Sequence, residues 1–224
     1  MTMDLFESSS SEPWVEPLCD GAVVLRRFAR ADASRLLEAI SVVAEQAQFR
    51  QMQTPGGHTM SVAMTCCGDW GWVTDAGGYR YQQTDPLSGE PWPLMPAVFR
   101  SLAAKAASAG GYSGFEPDAC LVNRYAPGAK MGLHQDKDED DFDQPIVSVS
   151  LGTPAMFQFG GARRSDRPQR VPLEHGDVVV WGGPARLRYH GVLTLKQAQH
   201  SLTDVSPCAV MVGDGTLKRG GQTL

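Results

Sequence analysis

The sequence has no apolar run approaching the roughly 20 residues of a membrane-spanning helix. Its opening, MTMDLFESSS, has no basic segment leading into an apolar one, so no secretion signal is expected. Positive charge is not in excess: 20 Lys and Arg stand against 25 Asp and Glu, a net of -5. That balance argues against coating nucleic acid through bulk charge. There are only five cysteines and no Cys-x-x-Cys, and Cys66 and Cys67 are adjacent, too close to grip a structural zinc well. An odd, unpatterned set of cysteines points to reduced thiols in a cytoplasm. Internal repeats and linker-length low-complexity segments are also missing. What is present, 42% hydrophobic and 20% charged residues, excludes a mainly disordered chain. The length of 224 residues fits one large domain, or one domain with an N-terminal extension.

Residues 1–16, rich in Ser, Glu and Pro, read as a loose leader. Gly21 to Phe28 suits a first strand. Asp32 is placed to cap a helix whose apolar positions Leu36, Leu37, Ile40, Val43 and Ala47 keep helical spacing. Met60, Val62 and Met64 alternate with small polar or small apolar residues, as in a strand with one buried face. A second helix is expected from near Pro96 through Val98, Phe99, Leu102 and Ala106 to a stop at Gly110-Gly111. From Ala119 onward, ACLVNRY, IVSVSLG, AMFQFG, RVPLE, DVVVW and RLRYHGV are short β-rich runs broken by Gly, Pro and Asp. Such strands in close succession predict a sandwich or barrel behind a helix-bearing N-terminal third.

Leu133-His134-Gln135-Asp136 carries the chemistry. Residues two apart in an extended segment project to the same side, so His134 and Asp136 reach one ion together. Of the other histidines, His190 fits best as a third ligand, at the end of the β-run Arg186 to Tyr189. Two histidines and a carboxylate on one face of an ion form the facial triad of non-haem Fe(II) oxygenases, which leaves positions open for substrates and O2. The same spacing also suits a surface turn with a solvated His and Asp. His175, in Leu-Glu-His-Gly-Asp, reads as a turn residue. His58 and His200 lie in loop-like sequence with no acid two residues away.

The surroundings of the triad carry a wider likeness. Asn123-Arg-Tyr-Ala-Pro-Gly-Ala-Lys130, His134-Gln-Asp-Lys-Asp-Glu139, Pro145 to Gly152 and His175 to Gly183 closely resemble the bacterial AlkB family of Fe(II)/2-oxoglutarate-dependent nucleic-acid dealkylases. Gln51 to Gly57, Ser61 to Thr65 and Gly78-Tyr79 match as well, and the likeness is nearly continuous from about Trp14 to Thr203. The resemblance implies a mainly β fold with flanking helices (α+β): a double-stranded β-helix, or jelly roll, with an N-terminal nucleotide-recognition lid. It implies residues 17–115 as extension and lid, and residues 116–203 as the dioxygenase core. It assigns iron to His134, Asp136 and His190, and 2-oxoglutarate contacts to Asn123 and Tyr125. The implied reaction uses O2 and decarboxylates 2-oxoglutarate to succinate and CO2. It hydroxylates an N-methyl group of 1-methyladenine or 3-methylcytosine, and the product sheds formaldehyde. Alkylated single-stranded DNA is the expected partner, with double-stranded DNA and RNA as further ones, and the protein is expected to be a cytoplasmic monomer that does not engage membranes.

Several side chains agree with that substrate. A base must leave its duplex to reach an iron, and a flipped base needs flat partners. Trp72 and Tyr79 lie in Gly- and Asp-rich sequence where large aromatics are not obvious core, although ordinary lid packing explains them too. Asp138 and Glu139 follow the first two ligands, and a carboxylate there favours a cationic methylated base by Coulomb attraction. Asp138 is equally readable as one more solvated acid. By resemblance, Arg80, Tyr81, Asp138 and Arg164 join Trp72 and Tyr79 at the substrate, and Thr54, Met64, Lys130, Gln135 and Glu139 are further substrate or phosphate contacts. Arg163 to Arg170 holds four arginines and one aspartate in eight residues, a phosphate-contacting loop or a solvated hairpin tip. Asp136 to Asp143 holds six acids and one lysine, the same net of -5 as the whole chain.

The C-terminus departs from the family, which continues after Thr203 with Arg-x-Asn-x-Thr-Phe-Arg, whose arginines clamp 2-oxoglutarate. Here Asp204-Val-Ser-Pro-Cys-Ala-Val-Met-Val-Gly213 follows, with no arginine before Arg219, and lysine is a poor substitute for a planar bidentate clamp. Asp204 to Cys208 can be encoded GAC GTT TCG CCG TGC, and shifted by one base those codons read Thr-Phe-Arg-Arg-Ala. Residues 204–224 therefore read as an atypical, frameshifted tail, and losing the native last strand is expected to expose a sheet edge. Two other functions compete with repair. One is a 2-oxoglutarate oxygenase of protein or small molecules; the other is a catalytically impaired binder of damaged nucleic acid.

Overall fold

A computed structural model describes residues 12–139 and 141–196, together with the backbone of 209–215. His200 and the Thr203–Asp204 junction lie outside the described residues. The chain opens with the hairpin β1 (Trp14–Cys19) and β2 (Ala22–Arg26), then a 3-10 turn at Arg30–Asp32 and helix α1 (Ala33–Gln46). β3 (Arg50–Gln53), β4 (Thr59–Gly68), β5 (Gly71–Asp75) and β6 (Gly78–Gln82) precede α2 (Ala97–Ala109). The remaining strands are β7 (Ala119–Tyr125), β8 (Met131–His134), β9 (Ile146–Gly152), β10 (Ala155–Phe159), β11 (Gln169–Leu173), β12 (Val178–Trp181), β13 (His190–Val192) and β14 (Ala209–Gly215).

Eight strands form one antiparallel sheet in the order β1-β2-β12-β9-β14-β7-β4-β3, and four form a second in the order β11-β10-β13-β8. β5 and β6 pair with each other as a separate hairpin. Strand alternation gives the large sheet two apolar faces. One face carries Val122 of β7, Val147, Val149 and Leu151 of β9, and Val178 and Val180 of β12. It packs under α1 through Leu36, Ile40 and Val43, and under α2 through Phe99, Leu102 and Ala106. The other face carries Val62 and Met64 of β4, Tyr125, Ile146, Val179 and Trp181. It closes against Phe157, Phe159, Val171, Leu173 and Val192 of the small sheet. Two sheets around one core make the jelly roll expected from the sequence.

Both helices form where the apolar spacing places them, and α2 stops as expected: the Gly110 and Gly111 amides bond back to Ala106 and Ser108, with Gly111 at a φ of 95°. Asp32 holds the residue position before α1 but does not cap it. Its carboxylate pairs with Arg35 at 3.1 Å, because the preceding 3-10 turn aims it along the helix face. Trp14, Val15 and Glu16, read as leader, lie in strand β1. Their mostly exposed pattern and Pro17 suit an edge strand that the hairpin partner β2 recruits. β1 to β4 are strands of the large sheet, so it draws from both sides of residue 116. Arg186 to Tyr189 are not strand. A 3-10 turn at Gly183–Ala185 carries the chain over them, and His190 begins β13 instead of following a strand. The backbone of Ala209–Gly215 lies between β9 and β7, so that position in the sheet is filled and its two neighbours have no exposed edge there.

Candidate metal centre

The small sheet brings the two histidines together. His134 ends β8, His190 starts β13, and the register pairs them directly. Gly191 makes the approach possible: a Cβ on it would lie 2.7 Å from the Met131 carbonyl oxygen. Asp136 follows β8 in extended chain. His190 Nε2 lies 3.3 Å and His134 Nε2 3.6 Å from the Asp136 carboxylate, and the histidine ring centroids are 4.3 Å apart. The three ligand atoms all fall within 4.8 Å of one another, and this is the only group of three or more such side chains among the described residues.

Hydrogen bonds select the useful histidine tautomer. His134 Nδ1 lies 2.9 Å from the Gly132 carbonyl and His190 Nδ1 lies 3.1 Å from the Arg188 carbonyl. A carbonyl only accepts, so each Nδ1 donates and each Nε2 is the ring nitrogen turned toward Asp136, the arrangement that metal-binding histidines take. Burial and the neighbouring His190 hold His134 below the ordinary histidine range. Burial also works against charge on His190, but the Asp136 carboxylate outweighs it and raises that ring. Desolvation likewise opposes charge on the half-buried Asp136, yet His190 and His134 hold its carboxyl below the usual range. Two borderline nitrogens and one hard oxygen fit Fe(II) as a facial triad.

The acid-rich loop beyond Asp136 is fastened from inside. Arg186, 3% exposed, donates to the backbone carbonyls of Asp136 at 2.7 Å and Gln144 at 3.0 Å. Its remaining nitrogen meets the Glu139 carboxylate at 3.3 Å. Glu139 is buried and also accepts the Tyr81 hydroxyl at 2.9 Å. Burial and the Asp136 charge push the Glu139 carboxyl up, and burial with Glu139 pushes the Tyr81 phenol well up. Glu139 is therefore an internal pairing residue, whereas Asp138 beside it is exposed and accepts the Trp72 indole N–H at 3.0 Å. Trp72 stacks on Tyr79 with ring centroids 5.7 Å apart, so the β5–β6 hairpin overhangs the loop.

The remaining expected residues divide by location. Asn123 and Tyr125 share the interior face of β7; the Asn123 side-chain oxygen Oδ1 is buried with no hydrogen-bond partner, and burial raises the Tyr125 phenol. Met64 is fully buried on β4 opposite Asn123. Gln135 donates to the Leu187 carbonyl, and Arg164 donates to the Leu133 carbonyl, one residue before the first ligand. Lys130 is exposed, with its backbone tied to Ser61. Thr54 closes its own turn through the His58 amide, and Arg80 is engaged by Asp75 within its hairpin, so neither is drawn into the metal cluster. Sequence reasoning missed Arg186, Ser150 and Trp181 as site residues. The Ser150 hydroxyl, which β14 separates from Asn123, and the Trp181 indole N–H are buried and unpartnered, and the Trp181 ring lies 4.9 Å from that of His190. For Ser150 the available signal was a polar residue within an otherwise apolar strand run.

Unpartnered Asn123, Ser150 and Trp181 give the interior wall the free donors and acceptor that a small polar cosubstrate requires. Among the described residues, no helix is long and apolar enough to cross a membrane. The 2OG-Fe(II) oxygenase superfamily matches residues 21–214. The chain is 62% identical over 201 residues to the alpha-ketoglutarate-dependent dioxygenase AlkB of Salmonella typhimurium, covering 90% of this chain and 92% of that protein. It is 34% identical over 172 residues to the DNA N(6)-methyladenine demethylase ALKBH1C of Arabidopsis thaliana, covering 68% of this chain and 36% of that one. The solved structure of OsALKBH1 superposes with a TM-score of 0.79 at 29% identity, over 91% of this chain and all of that one. With its His134-Asp136-His190 cluster and jelly roll, the chain belongs to the 2OG-Fe(II) oxygenase superfamily, in its AlkB branch.

Proposed function

We propose that this dioxygenase removes N-methyl groups from alkylated DNA, single strands foremost, with double-stranded DNA and RNA as further substrates. One observation carries the reading: the Trp72–Tyr79 stack and the exposed Asp138 carboxylate are joined by a hydrogen bond, two residues from the ligand Asp136. A flat apolar pair beside an uncompensated negative charge suits a flipped cationic base such as 1-methyladenine or 3-methylcytosine. Asp138 favours the methylated base over its neutral repaired form by charge. Arg164, in the turn between β10 and β11 and bonded to the Leu133 carbonyl of β8, and Lys130, which immediately precedes β8, suit flanking phosphates.

His134, Asp136 and His190 would hold Fe(II), which with 2-oxoglutarate and O2 supplies the oxidation of the methyl group. Gly132 and Arg188 carbonyls fix the two rings, so the Nε2 atoms are aligned before metal arrives. Asn123, Tyr125, Ser150 and Trp181 offer hydrogen bonds to the cosubstrate. The roofing hairpin limits water at the reacting methyl group.

Incubation with Fe(II), 2-oxoglutarate and a methylated oligonucleotide tests this reading through succinate and formaldehyde. Release of both, dependent on the lesion, supports repair, and succinate indifferent to the oligonucleotide contradicts the substrate assignment. A second reading, binding of damaged nucleic acid without turnover, rests on the composition of β14. Ala-Val-Met-Val-Gly-Asp-Gly contributes no arginine or lysine to the sheet beside Asn123. Tight oligonucleotide binding with no succinate would select it.

A further inference from the structure

We infer that Arg186 is a positioning residue that holds the metal ligand Asp136 and the overhanging β5–β6 hairpin in one fixed arrangement. The inference rests on the reading that the His134-Asp136-His190 group holds a metal. The guanidinium is 3% exposed, and its three hydrogen-bonding and ionic partners, the Asp136 carbonyl, the Gln144 carbonyl and the Glu139 carboxylate, all lie in the loop that follows β8. The aromatic ring of Phe142, in the same loop, lies 5.4 Å from it.

This geometry separates positioning from simple charge balance. Two of the three contacts are to backbone carbonyls, which fix where the chain runs, and one of these belongs to the ligand Asp136 itself. Arg186 also stands four residues before His190, in the turn that launches β13. One side chain thereby ties the segment bearing the second histidine to the segment bearing the carboxylate. Through Glu139 the connection continues to Tyr81 on β6, the strand that pairs with Trp72 of β5. A planar fork with fixed donor directions is suited to three acceptors at once, and a lysine ammonium is not.

The test uses the metal-free protein and Co(II) as the probe, with affinity read by calorimetric titration and folding by melting temperature. Outer groups that orient metal ligands are worth about 10- to 100-fold in affinity. Arg186→Met is therefore expected to bind Co(II) at least tenfold more weakly while still melting cooperatively. Arg186→Lys is expected not to rescue it. Wild-type Co(II) affinity in either folded variant overturns the inference, and if Arg186→Met does not fold, Arg186→Lys decides by the same criterion. Tyr81→Phe tests the hairpin half: KM for a methylated oligonucleotide rises severalfold while Co(II) affinity is kept, and an unchanged KM overturns that half. Failure of the wild-type protein to bind Co(II) would instead remove the metal reading, so the two failures are distinct.

Discussion

The two faces of the eight-stranded sheet are both buried, yet they are finished differently. On the face under α1 and α2, aliphatic side chains interlock, and the polar side chain Thr65 is satisfied by donating to the Ala47 carbonyl at 2.6 Å. On the face turned into the roll, Asn123, Ser150 and Trp181 are buried with polar atoms that have no partner. Leaving such a group unpaired costs about 1–3 kcal/mol, a cost that a bound water or ligand relieves. The difference teaches where a ligand fits: one face is completed by the fold, and the other offers polar groups that a ligand can bond.

The largest expected effect belongs to the inner side. His134→Ala is expected to abolish metal binding and turnover while leaving the melting temperature nearly unchanged, since His134 is half-buried and at a strand end. A large fall in melting temperature would show the histidine to be a packing residue. Next, Gly191→Ala forces β13 away from the Met131 carbonyl and misplaces His190 against His134. A displacement of that kind costs about a hundredfold in turnover, measured as kcat on a methylated oligonucleotide. Unaltered kcat would mean that the spacing of the two strands is not critical.

The outer face is expected to answer in stability alone. Leu36→Ala removes a side chain that is 1% exposed beneath α1, at a cost of about 2–5 kcal/mol by denaturant unfolding. Turnover per folded molecule should hold. The smallest effect sharpens the comparison most, because it pairs two similar changes. Thr65→Val leaves the Ala47 carbonyl without its donor and is expected to cost about 1–3 kcal/mol. Ser150→Ala deletes a hydroxyl that already lacks a partner, so stability stays level or rises, while affinity for 2-oxoglutarate falls. Equal destabilisation by both would erase the distinction between the faces.

Legibility in the sequence followed the same division. The face under the helices rests on periodicity, and the spacing of Leu36, Ile40 and Val43, and of Phe99, Leu102 and Ala106, places both helices. The ligands were also readable, because His134 and Asp136 are two apart and only His190 among the other histidines sits at a strand-like run. Long-range pairing was not readable. Nothing local says that β14 inserts between β9 and β7, or that the exposed residues from Trp14 onward extend the sheet. Charge was misleading in one place: Asp138 and Glu139 look alike in sequence, but Glu139 is buried on Arg186 and Tyr81, and Asp138 alone is exposed. That distinction depends on Arg186, a residue 47 positions after Glu139 whose partners only the fold supplies.

The unfinished inner face is the central claim, and one product measurement tests it most directly. A 3-methylcytosine oligonucleotide is incubated with the protein, Fe(II), 2-oxoglutarate and O2, and is then weighed by mass spectrometry. The account predicts loss of the methyl group with the wild-type chain and its retention with His134→Ala. Retention of the methyl group by wild-type protein that has bound both metal and oligonucleotide would contradict it.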